Sequence, residues 1–277
     1  MMKKTSYLFL SLLFFALGIS QPLKAQFRQK YYSIGLRMGA ANYFGDLASN
    51  PLESVKQTRG MVGVGLEYKV SPIYSVQFAI QGATLRGDDQ GSTDSLRSLR
   101  NLSFRNNVLD FSVSNVIYLL SDGKRIRHRV PFRPALIFGM GVLRHRPETK
   151  LNSQYYDLRS LGTEGQLLRG EDQAYPFWVV RLNTGIKANI RLTRELDLNI
   201  QAEYFLTLSD YLDDVSGDYP DLESLRAFNP LSATLSDRTP TAVSDGGASL
   251  YEGARGISPN QTDSFLLTSV GISYLIK

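Results

Sequence analysis

His128 and His145 are the only imidazoles in this 277-residue chain, and it holds no cysteine. Catalysis at a membrane edge would need one of them as a base with a hydroxyl or acid partner in reach. His128 stands in the basic run Lys124-Arg125-Ile126-Arg127-His128-Arg129, and His145 stands between Arg144 and Arg146. Neither has a serine or an acid at a suggestive spacing, so the chain reads as a non-enzyme with no catalytic residue. The acidic residues Asp210, Asp213, Asp214, Asp218 and Asp221 offer the hard oxygens that calcium takes. They lack the glycine-kinked, alternating spacing of a dedicated calcium loop. The competing reading is a rim loop held by hydrogen bonds and arginine pairs. No phosphate-cradling loop or zinc motif occurs, so no metal or cofactor is assigned.

A second set of charges is spaced differently. Arg37, Glu67, Lys69, Asp110, Arg181, Lys187 and Glu203 each sit inside a stretch of strict period-two alternation, on the face opposite its apolar residues. Eight such stretches are expected, at about 32–43, 61–70, from 74 onward, 104–120, 132–143, 177–192, 196–208 and 266–276. In the first, Ile34, Leu36 and Met38 oppose Gly35, Arg37 and Gly39; in the sixth, Val180, Leu182 and Ile186 oppose Arg181, Asn183 and Lys187. Asn115 falls on the apolar side of the fourth, which suggests a bulge there. Several stretches reach the ~9–11 residues that a tilted membrane strand needs.

The connections sort by length. Long ones run at about 43–60, 86–103, 144–176 and 209–263, and the tightest turns fall at Ser71-Pro72 and Thr193-Arg194. Long outside loops, short periplasmic turns and an even strand count describe a transmembrane β-barrel. The expected fold is therefore an all-β, eight-stranded antiparallel transmembrane barrel, with lipid on its apolar face and the charges paired in its lumen. A soluble β-sandwich is the competing fold, since alternation describes that as well. Tyr31, Tyr32, Tyr68, Tyr74, Tyr118, Phe132 and Tyr274 are expected to form a girdle at the periplasmic ends, and Tyr43, Phe44, Phe104, Phe177 and Trp178 one at the outer ends.

Residues 1–25 read as a secretory signal peptide, with Lys3 and Lys4 before the apolar run Tyr7–Ile19 and a cleavage site after Ala25. That leaves 26–277 as one barrel domain. Removing the three lysines of the leader brings the net charge of +5 close to balance, so no nucleic-acid partner is expected. The expected location is the cell outer membrane.

Three loop segments stand out: Ala41-Asn42-Tyr43-Phe44-Gly45-Asp46-Leu47, Leu161-Gly162-Thr163-Glu164-Gly165-Gln166 and Asp210-Tyr211-Leu212-Asp213-Asp214-Val215-Ser216-Gly217. With Phe138-Gly139-Met140-Gly141-Val142 they resemble the PorG-like family of Bacteroidota outer-membrane barrels. The resemblance implies a component of the type IX secretion system, docked to a periplasmic ring of PorK-like lipoprotein and PorN-like protein. Gly45-Asp46 and Gly162-Thr163 are read as turn chemistry. The basic turn from Lys124 to Arg133 is the most suggestive partner surface, for acidic periplasmic protein or anionic headgroups. The alternative function is a structural or adhesin-like barrel with surface-binding loops. The long Ser/Gly/Pro/Asn-rich stretch 222–262 carries no assigned role.

Overall fold

In strand β1 (Tyr31–Phe44), Leu36 and Met38 are 72% and 70% exposed while the intervening Arg37 turns inward. This inversion repeats around a computed structural model that describes residues 30–122, 129–169, 174–240, 255–256 and 262–276. The predicted signal peptide lies outside the described residues. After β1 come helix α1 (Pro51–Lys56), strands β2 (Arg59–Ser71) and β3 (Tyr74–Asp88), helix α2 (Ser95–Arg100), and strands β4 (Ser103–Tyr118) and β5 (Phe132–Arg144). A small hairpin, β6 (Pro147–Leu151) with β7 (Gln154–Asp157), and a single turn, α3 (Leu158–Leu161), precede β8 (Trp178–Arg191) and β9 (Leu196–Thr207). Helices α4 (Leu222–Phe228) and α5 (Pro230–Ser236) then lead to β10 (Ser264–Ile276).

The long strands run in the order β3-β2-β1-β10-β9-β8-β5-β4, and a pairing of β3 with β4 closes the ring. Every pairing is antiparallel. The result is a closed eight-stranded barrel with no free edge, which lets backbone polar groups cross hydrocarbon without loss of hydrogen bonds. Among the described residues no helix is long and apolar enough to cross a membrane; the strands do the crossing.

Exposure separates the two faces. Val62, Met140 and Ile186 are more than 60% exposed, whereas Arg181, Lys69 and Asp110 are at most 2% exposed. A water-soluble fold puts these types the other way round. The outer wall is therefore a lipid contact surface, and the protein is an outer-membrane barrel.

The lumen is filled by paired charges. Arg181 makes two bonds to Asp110, of 2.7 and 2.6 Å, and lies over the Phe205 ring. Arg37 reaches Glu203 at 3.0 Å and Gln81 at 2.6 Å, and also bonds Gln201. Lys187 joins Glu67 at 2.6 Å and Gln77 at 2.9 Å. Towards the short-turn end, Arg133 bridges Asp122 at 2.5 Å and Asp197 at 3.2 Å, and Lys69 sits 3.7 Å from the centre of the Tyr118 ring. Charges taken out of water persist only when matched in this way. A cavity of about 30 Å³ beside Arg37, Glu67 and Lys187 has room for one or two waters and no more. Small residues make the tight places possible: a Cβ at Gly39 would overlap the Thr268 carbonyl oxygen across the β1–β10 seam.

Three sequence expectations are corrected. Asn115 marks no bulge; β4 keeps its register, and the Asn115 carboxamide on the lipid side accepts a 2.7 Å bond from the Tyr74 hydroxyl. The register shift falls instead between Lys69 and Ser71, at the turn. Four of the expected girdle aromatics, Tyr31, Tyr118, Tyr43 and Phe104, point inward and are buried, because they share parity with the lumen charges of their strands. Tyr32, Phe132, Tyr274, Phe177 and Trp178 do face outward. The expected loop 144–176 contains the β6–β7 hairpin, whose turn residues Asn152 and Ser153 both take positive φ, as a type I′ turn requires.

Candidate functional site

The four long connections fold together into a cap over one end of the barrel. Their short helices start at residues suited to the purpose. Asn50 accepts from the Glu53 amide ahead of α1, Asp94 from Leu96 ahead of α2, Asp221 from Glu223 ahead of α4, and Asn229 from Leu231 ahead of α5. Pro51 and Pro230 occupy first-turn positions, where a missing N–H costs nothing. Beneath them Tyr43, Leu47, Leu85, Phe104, Leu143 and Leu212 form an apolar plug, with Phe205 stacked on Phe265 at 4.7 Å.

The three loop segments singled out in the sequence meet here. Tyr43, from the first, donates to Asp213 of the third at 2.7 Å and also bonds Asp263. Asp214 accepts from Tyr175 at 2.8 Å and from Thr163 of the second segment. Glu164 accepts the Ser216 and Gly217 amides, at 2.8 and 3.2 Å, and pairs with Arg255 at 3.0 Å. Gly162 and Gly165 hold the turn at positive φ, and Gly45 closes a tight turn with Ala48. A second set of ions braces the neighbouring loops: Arg97 to Glu53 at 2.8 Å, and Arg100 to Asp89 at 2.7 Å. The cap is thus a network of long-range contacts between loops that are distant in sequence.

The protonation state of that network follows from counting donors. A phenol carries one proton, yet Tyr43 lies within bonding distance of two carboxyl groups. One of Asp213 and Asp263 must therefore supply a proton of its own. Burial, and the negative charge that surrounds the site, push both carboxyls well above the usual carboxylate range. Half-buried Asp210 is pushed up to about 7, by burial first and by Asp46 second. Burial also lifts Asp214 to about 7 against the opposing pull of Arg255. Groups with raised native pKa values bind protons more tightly folded than unfolded. Their contribution to stability is complete below the unfolded value near 4 and is lost as pH rises through about 7 and above. The cap should loosen in mild alkali. Hydrogen exchange at the Leu212 and Val215 amides, which donate to Asp263 and Asp213, is expected to accelerate beyond the intrinsic pH trend between about pH 5 and about pH 9. Asp263→Asn, which cannot ionise, should flatten that excess.

The other residues singled out in the sequence fall as follows. His145 is buried, its ring bonded to the Pro176 carbonyl at 2.9 Å and stacked on Tyr175, and burial depresses it to about 4. It is neutral and packed, with no hydroxyl or acid among its bonds. His128 lies outside the described residues, as do Lys124, Arg125 and Arg127 of the expected partner surface. Arg129 does not belong to that surface: it turns inward and bonds Asp197 at 2.5 Å and the Arg194 carbonyl at 3.0 Å. The five acids at 210–221 take separate tasks, from the Tyr43 contact of Asp213 to the helix cap of Asp221, and Asp218 is exposed. Among the described residues no three carboxylates or histidines converge as metal ligands. Sequence reasoning missed Arg255 and Asp263 altogether. Their signal was faint: single charges, one of them between the small residues Ala254 and Gly256, in an otherwise uncharacterised stretch.

Residues 8–234 match a family described as a domain of unknown function, DUF6089. No curated protein matches the sequence. Among solved structures, the chain is similar to a major outer membrane protein from Thermus thermophilus, at 13% identity and TM-score 0.42, over 90% of this chain and 100% of that one. It is similar to Ail, the attachment invasion locus protein of Yersinia pestis, solved with the heparin analogue sucrose octasulfate, at 8% identity and TM-score 0.42, over 90% and 99%. Neisserial surface protein A matches at 9% identity and TM-score 0.40, over 88% and 96%.

Proposed function

The chain belongs to the DUF6089 family, and on that premise we propose that it is a non-enzymatic outer-membrane barrel that anchors or organises the type IX secretion apparatus through contacts with periplasmic ring proteins. The observation that carries this reading is the filled interior. The lumen holds matched charges and the cap holds interlocked loops, which leaves no conducting path through the lumen among the described residues. What remains for function is surface. Three of the four segments that carry the PorG-like resemblance lie in the cap, where they lock the loops to one another, and the fourth, Phe138–Val142, lies in β5; contact with a ring is assigned to the opposite, short-turn end. In sequence, Lys124, Arg125 and Arg127 fall between β4 and β5, and they supply positive charge suited to an acidic protein partner.

Affinity isolation from detergent-solubilised membranes tests the reading. PorK-like and PorN-like proteins should come along with the wild-type chain, and reversing Lys124, Arg125 and Arg127 to glutamate should deplete them. Isolation of the barrel alone, with secretion intact after its deletion, would reject the proposal. The ordered outer cap supports a second reading, an adhesin-like barrel whose loops bind at the cell surface, and that reading predicts the latter outcome.

A further inference from the structure

The charges on the lipid side of the wall are gathered in one place. Among the described outward-facing positions of the eight barrel strands, the charged ones are Arg86, its 3.1 Å partner Asp88, Arg105 and Arg144. They stand at the outer ends of β3, β4 and β5, which are neighbours in the barrel. Outward positions on the other five barrel strands carry none. Arg86 and Arg105 are direct cross-strand partners of like charge; Asp88 pairs with Arg86, and Glu148 of β6 stands in register opposite Arg105 on its other side. Arg59 and Lys150 join them around a cleft of about 390 Å³, with Glu148 its one acid. Arg105 rests over the Tyr155 ring at 5.3 Å, and no carboxylate among the described residues forms an ion pair with Arg59, Arg105 or Lys150.

On the same strands, about 20 Å along the strand direction towards the membrane centre, the outer wall is hollowed. Gly65, Ala79, Ser112 and Gly141 pair in one continuous row across β2, β3, β4 and β5, all with lumen parity. Small side chains there give the wall nothing to lean on. The outer surface dips to form an apolar depression of about 630 Å³ whose sides include Val64, Phe78, Phe111 and Val142. Lipid tails would have to fill this depression, and the cationic cleft lies directly above it on β3 and β4.

We propose that this face is a binding site for a phosphorylated lipid of the outer leaflet, with its phosphate in the cleft between Arg86 and Arg105 and an acyl chain in the depression over the Gly65–Gly141 row. Phosphate is the fitting headgroup because the cleft presents guanidinium forks, which match its oxygens two at a time. Distance favours one amphiphile spanning both features, since the strands carry the cleft and the depression in line.

The test is binding to the full chain in detergent micelles, followed by native mass spectrometry, with bisphosphorylated lipid A, dephosphorylated lipid A and inorganic tripolyphosphate as probes. Folding of every variant is checked by heat-dependent gel mobility. Bisphosphorylated lipid A should bind at least tenfold more tightly than either other probe. Arg86→Gln with Arg105→Gln should abolish that preference. Val142→Trp or, should it not fold, Val64→Trp should weaken lipid A tenfold by filling the depression while leaving tripolyphosphate unchanged. Equal binding of the dephosphorylated lipid would overturn the headgroup assignment. Tripolyphosphate binding as tightly as lipid A, or tryptophan variants that bind like wild type, would reduce the site to an ion cleft and sink the lipid.

Discussion

Asp110→Ala is expected to destabilise the barrel by about 3–5 kcal/mol, because it leaves the Arg181 guanidinium buried and uncompensated. Arg181 is fully buried, and Asp110 takes two of its hydrogen bonds, with the Asn183 side-chain oxygen at 2.5 Å as the remaining polar contact. Asp110 is the one carboxylate among the described residues that forms an ion pair with Arg181. Thermal or urea unfolding in micelles, read by gel mobility and circular dichroism, measures the loss. Asp110→Asn keeps one acceptor and should cost less. The double change Asp110→Leu with Arg181→Met removes both charges, and it should recover most of the stability. If Asp110→Ala unfolds like the wild type, the pair is solvated and the lumen is not the dry, matched interior described above.

Leu36→Arg tests the other face. Leu36 lies near the middle of β1, opposite Val64 and Ile272, and is among the most exposed large apolar residues. In a water-soluble protein, placing a charge on such an exposed site changes stability by about 0.5 kcal/mol or less. In a bilayer the same change at the midplane costs about 2–4 kcal/mol. The expected result is a loss of that size in reconstituted bilayers, shrinking for Tyr32→Arg, which sits near the interface. A flat profile along β1 would contradict lipid contact.

Much of this architecture was legible because period-two alternation is enforced by burial on one side and lipid on the other. Arg37, Glu67, Lys69, Asp110, Arg181, Lys187 and Glu203 all sit in the lumen as their parity requires. The same parity rule holds for the aromatics at the strand ends. Tyr31 and Tyr43 share the odd parity of Arg37, and Phe104 and Tyr118 the even parity of Asp110, so all four had to point inward. The closing of the cap was less legible. Tyr43 reaches Asp263, and Glu164 reaches Arg255, across loops whose sequence separation hides the contact. The β6–β7 hairpin was masked by its mixed polarity: Glu148 and Lys150 face outward above the hydrocarbon, where no apolar pattern is imposed. The three loop segments did mark the place where the cap locks, although their chemistry is structural.

The central claim, that the apolar face of every barrel strand lies against lipid, is tested most directly by spin-label accessibility. The chain has no cysteine of its own, so single cysteines at Met140, Ile186 and Val270 can each carry a nitroxide without background. In bilayers these three sites should collide freely with dissolved oxygen and scarcely with a water-soluble nickel chelate, while a label at Leu96 on α2 shows the reverse. A nickel chelate that reached Met140, Ile186 and Val270 as readily as Leu96 would contradict the account.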